Sequence, residues 1–92
     1  MSSSKVWLVT GASRGIGLAV AERALAAGDR VALLARGEDV MALAAKLGDA
    51  CMGCRADVGD REQVVQAVAL VVERWGHIDI VVNNAGAHRG GK

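Results

Sequence analysis

The residues with the most chemical potential in this chain are Thr10-Gly11-Ala12-Ser13-Arg14-Gly15-Ile16-Gly17, set between an apolar run and an alanine-rich helical pattern. A strand that passes through such a turn into a helix presents bare backbone N–H groups and the positive end of the helix dipole. Together these bind an anion without a basic side chain. Gly11 permits the sharp exit from the strand, Gly15 lets a diphosphate come close to the backbone, and Gly17 lets the helix lie tightly on the sheet. The spacing Gly-x3-Gly-x-Gly departs from Gly-x-Gly-x-x-Gly, and no Gly-Lys-Ser/Thr follows, which argues against a nucleoside triphosphate. The same residues also suit a plain strand-to-helix turn, so the anion reading depends on context.

Further candidates lie at the ends of later apolar runs. Arg36 closes the second, where dinucleotide-binding folds place an acid on the adenosine ribose or a base on its 2′-phosphate. Arg14, in the glycine turn, could reach the same phosphate, and two guanidinium forks suit one dianion. These bases favour NADP, whereas Glu38 or Asp39 on a ribose hydroxyl is the NAD alternative. Asp57 and Val58 leave the third run, the first as an acceptor for an adenine amino group and the second as a flank for the ring. An ordinary turn aspartate is the competing reading. Asn83, Asn84, Ala85 and Gly86 turn away from the fourth run toward the same edge, although asparagines also satisfy turn backbone.

Cys51 and Cys54 have the spacing of a metal or redox pair, but they fall in a strand-like stretch. Residues three apart on a strand face opposite sides, so both thiols are expected to be packing groups, with no metal site.

The elements that must position these residues follow from hydrophobic period and turn chemistry. Strands are predicted over residues 5–10, 30–35, 50–56 and 78–83, the third being interrupted by Gly53 and Arg55. A first helix spans 14–27, with Ile16, Val20, Ala21, Ala24 and Leu25 on one face. A second begins at Glu38 or Asp39, carries Val40, Leu43, Ala44 and Leu47 inward, and stops at Gly48. Asp60 caps a third, with Gln63 as capping-box partner, Val64, Val68, Val71 and Trp75 as its buried stripe, and Gly76 as its end. Alternating strands and helices with right-handed crossovers predict the first half of a doubly wound, Rossmann-like α/β fold, strand order 3-2-1-4. The reversal of strand order then lies above the glycine turn.

Composition narrows the partners. The 92 residues are 52% hydrophobic, lack proline and carry a net charge of +1, as befits a single small α/β domain. There is no basic field for nucleic acid and no polybasic patch for a membrane. The start, Met1-Ser2-Ser3-Ser4-Lys5, has no signal-peptide core, so a cytoplasmic location is expected.

Taken in order, Thr10 to Gly17, then Arg36, then Ala56-Asp57-Val58, then Asn83-Asn84-Ala85-Gly86 resemble the short-chain dehydrogenase/reductase family over nearly the whole chain. The resemblance implies that Gly11, Ser13, Arg14, Gly15, Ile16 and Gly17 bind coenzyme phosphates and ribose, with Arg14 and Arg36 favouring NADP. It further implies that Asp57 and Val58 hold adenine, that Asn84, Ala85 and Gly86 lie along the adenosine ribose, and that Asn83 fixes the central strands. Family members continue to a catalytic serine and a Tyr-x-x-x-Lys pair, and this chain contains no tyrosine. The expectation is therefore a truncated dinucleotide-binding domain over 1–92, without catalytic residues, its residues 87–92 forming a loop cut before the next helix. The complete protein would be a homo-oligomer acting on a small alcohol or carbonyl. A naturally short nucleotide-binding or interaction module without catalysis is the alternative.

Overall fold

The computed structural model describes residues 4–11 and 15–83. Its elements run β1 (Val6–Thr10), α1 (Gly15–Ala26), β2 (Arg30–Ala35), α2 (Asp39–Leu47), β3 (Cys51–Arg55), α3 (Arg61–Trp75) and β4 (Ile80–Asn83). All strand pairs are parallel and the sheet order is β3-β2-β1-β4, as the sequence predicts. Continuous apolar runs form these strands because helices cover both faces of the sheet. In β2, Leu33 faces one layer and Leu34 the other, and both are fully buried.

One layer packs Ala21 and Ala24 of α1 and Val40 and Ala44 of α2 on Val9, Val31, Leu33 and Cys51. The other packs Ala67 and Val71 of α3 on Val6, Leu8, Ala32, Leu34, Cys54 and Ala56. The two cysteines thus lie on opposite faces, both buried and unbridged, as strand alternation requires. Burial pushes the Cys51 thiol up to about 11 and raises Cys54 in the same direction. Among the described residues no helix is long and apolar enough to cross a membrane.

Gly53 does not interrupt β3. A Cβ there would stand 2.8 Å from the Val40 carbonyl oxygen and 3.2 Å from the Met41 Cα, so the missing side chain lets α2 lie directly on the strand. Ile16 departs from expectation: it is 72% exposed, while Gly17 beside it is buried. Helix α1 begins at the C-terminal edge of the sheet, and its first turn carries Gly17 inward and Ile16 outward. The inward stripe of α3 likewise centres on Ala67 and Val71, with Val68 and Trp75 partly buried and Val65 and Val72 exposed.

At the N-terminal end of the sheet, two aspartates tie the strands together. Asp29, just before β2, accepts from the Lys5 N–H at 3.0 Å and from Trp7 Nε1 at 2.9 Å. Asp79, just before β4, accepts from the Val6 N–H at 2.8 Å and lies 2.9 Å from His77 Nε2. Hydrogen bonding to the ionised form, first from Lys5 and Val6 backbone, holds both carboxyls below 3.8. The predicted fourth strand shortens to Ile80 because Asp79 spends its side chain on the Val6 N–H while its own N–H donates to the Val6 carbonyl at 2.8 Å.

Candidate functional site

At the opposite, C-terminal edge the chain leaves β1 at Gly11 and enters α1 at Gly15, with φ of 61° and 69°. A residue bearing a Cβ adopts this left-handed region at a cost of roughly 1–2 kcal/mol. A Cβ built on Gly15 meets none of the described residues within 4 Å, so it is the backbone angle that requires glycine there. No acidic residue occupies the first turn of α1, so nothing there opposes an anion at the dipole's positive end. Strand order reverses at β1, with β2 on one side and β4 on the other, which places the turn at the topological switch point. Across that point Thr10 Oγ1 lies 3.3 Å from the Val82 carbonyl oxygen and 3.1 Å from Asn83 Oδ1, linking the ends of β1 and β4.

The same edge carries an open cleft of about 320 Å³ lined by Arg36, Arg55, Ala56, Asp57 and Gln63. Arg36 follows β2 directly and is exposed, and among the described residues its side chain makes no hydrogen bond or ion pair. Asp57 Oδ1 accepts from the Gly59 N–H at 2.9 Å, closing a turn, while Oδ2 takes no hydrogen bond among the described residues. The turn-aspartate role is therefore real and leaves one oxygen for a donor. Val58 is exposed beside it.

Asp60 caps α3 as expected, accepting from the Glu62 and Gln63 N–H groups at 3.0 and 3.4 Å. The Gln63 side chain does not complete a reciprocal capping box. Its Nε2 donates to Asp60 Oδ2 at 3.0 Å and its Oε1 accepts from the Asp57 N–H at 2.9 Å, because the Asp60 N–H is already taken by the Asp57 carbonyl. Gln63 thereby fixes the chain where it enters the cleft. Arg55 is the second lining residue that sequence reasoning passed over. Its Nε donates to the Arg36 carbonyl at 3.1 Å and its Nη1 lies 3.5 Å from Glu38 Oε2. The register pairs Ala35 with Arg55, so a cation closing β3 must meet the residue that follows β2.

Gly11, Gly15, Ile16, Gly17, Arg36, Asp57 and Val58 thus share one edge. Ser13, Arg14, Asn84, Ala85 and Gly86 lie outside the described residues. Among the described residues the donor set fits a dinucleotide: helix-end amides with no acid in their own first turn for a diphosphate, and a cleft offering a guanidinium and a carboxylate oxygen for its adenosine half.

Fold and edge together define a Rossmann-like, doubly wound α/β protein. Comparison with known proteins places it more narrowly: the short chain dehydrogenase family pattern matches residues 5–92, and the chain belongs to that family. It is 46% identical over 88 residues to 2-(R)-hydroxypropyl-CoM dehydrogenase from Xanthobacter autotrophicus, covering 90% of this chain and 35% of the relative. Among solved structures it is similar to an actinorhodin polyketide ketoreductase with NADPH, at 41% identity and a TM-score of 0.81, covering 91% of this chain and 34% of that one. It is also similar to 3-ketoacyl-(acyl-carrier-protein) reductase from Brucella melitensis complexed with NADH, at 32% identity and a TM-score of 0.80, over 84% and 32%. The chain spans about a third of the length of the relatives it matches.

Proposed function

We propose that this chain is the coenzyme-binding part of an NADP-preferring oxidoreductase that moves hydride between NADP(H) and an alcohol or carbonyl substrate. The observation that carries the reading is Arg36, a guanidinium at the end of β2, unpaired among the described residues, in the cleft beside Asp57. The amides around Gly11, Gly15 and Gly17, with Ser13 and Arg14, would hold the diphosphate, and Ile16 would cover it. Arg36 and Arg14 would take the 2′-phosphate. Asp57 Oδ2 would accept from the adenine amino group, Val58 would flank the ring, and Asn84, Ala85 and Gly86 would line the ribose.

When bound, the nicotinamide supplies the hydride chemistry. This chain's described part in that chemistry is to bind and orient. Its 92 residues contain no tyrosine to protonate a substrate oxygen, so by themselves they are proposed to bind coenzyme without turnover. A cytoplasmic location and assembly into a homo-oligomer belong to the same proposal. Isothermal titration of the full chain with NADP+ and NAD+ tests it. Tighter binding of NADP+ is expected, and no heat with either nucleotide would overturn the reading.

A further inference from the structure

The charged residues around the cleft are not independent. Two positions beyond Arg36 stands Glu38, a carboxylate at the segment where an NAD site would place its ribose acceptor, and one that would repel a 2′-phosphate. Glu38 does not stand alone: Arg55 lies against it at 3.5 Å. The Arg55 guanidinium is held at a second point by its Nε donation to the Arg36 carbonyl, so it bridges the start and end of the turn between β2 and α2. Asp39, Asp57 and Asp60, further carboxylates at this edge, make no ion pair among the described residues.

We propose that Arg55 is a positioning residue that sets coenzyme preference: by occupying the Glu38 carboxylate, it keeps that acid from opposing a 2′-phosphate at Arg36. This rests on the NADP reading above and deepens it. Counting Arg36, Arg55 and Glu38, the local charge is +1. Removing Arg55 brings it to zero and releases an acid beside the phosphate, whereas removing Arg55 and Glu38 together restores +1. The pair is solvent-exposed, with 56% of the Arg55 and 83% of the Glu38 side chain accessible, so the effect is modest and salt-sensitive. The same exposure makes Arg55 replaceable without loss of fold.

The test is titration calorimetry of the full chain with NADP+ and NAD+, comparing the ratio of the two dissociation constants in wild type, Arg55→Gln, Glu38→Gln and the double variant. Arg55→Gln is expected to lower the preference for NADP+ by about 3- to 5-fold while leaving NAD+ binding nearly unchanged. The double variant is expected to recover the wild-type ratio to within about 2-fold. A ratio unmoved in Arg55→Gln, with wild type still preferring NADP+, overturns this inference and leaves the coenzyme reading standing. A fall that Glu38→Gln fails to restore overturns the role through Glu38 and points instead to direct phosphate contact by Arg55. Equal weakening of both nucleotides overturns it in favour of a structural role. A wild type without NADP+ preference overturns the coenzyme reading itself, and this inference with it.

Discussion

The two ends of the sheet use polar side chains in opposite ways. At the N-terminal end Asp29 and Asp79 spend their carboxylates on backbone N–H groups, an indole and an imidazole, stitching β1 to its neighbours on both sides. At the C-terminal end Arg36 and one oxygen of Asp57 have no partner among the described residues, and left-handed glycines open the backbone. The first arrangement holds the strands in register. The second holds groups in readiness, at the edge where ligands of open α/β sheets bind.

Substitutions can break or sharpen that contrast. The largest effect is expected from Arg36→Asp, which should lower the affinity ratio favouring NADP+ over NAD+ by about 10- to 100-fold, the scale of a charge-assisted hydrogen bond, with the thermal midpoint unchanged. A midpoint that fell with it would show that the upper edge carries stability too. Next comes Gly53→Val, midway along β3, where the new side chain would meet α2 backbone. A loss of about 1–3 kcal/mol is expected in denaturant unfolding. Asp60→Ala should cost about 1 kcal/mol by removing the cap of α3 while leaving nucleotide preference intact, marking Asp60 as a structural group at the binding end.

The smallest effect is the pH response of the lower end. Asp29 and Asp79 are held below 3.8, so their stabilisation is complete above that value and is lost as pH falls through their lower folded values. Thermal midpoints measured from about pH 5 down to about pH 2 should fall less steeply in Asp29→Asn and Asp79→Asn than in wild type. Parallel curves would deny these carboxylates their part.

Sequence and structure agree where the physics is local. Apolar runs of strand length, alanine-faced helices and the glycine turn are each visible within a few residues, and right-handed crossovers then leave one strand order to choose. What escaped is non-local or double-edged. Asp29 and Asp79 act on residues up to 73 positions away, and nothing around Asp79 separates it from a solvated loop acid. Gly53 and Arg55 look like defects in a short strand. One in fact makes room for α2, and the other reaches the Arg36 carbonyl, which only the β2–β3 register discloses. Ile16 has the period of a core residue, yet in the first turn of α1 it is Gly17 that faces inward.

The placement of the two thiols has a practical corollary. Each belongs to a different helical layer, and burial both shields it and lowers its thiolate fraction, so an alkylating reagent reaches it faster once its own layer lifts away. Single-cysteine variants would therefore act as separate clocks for the opening of each side. If α3 detaches before α1 and α2, the residue beneath it will be modified first.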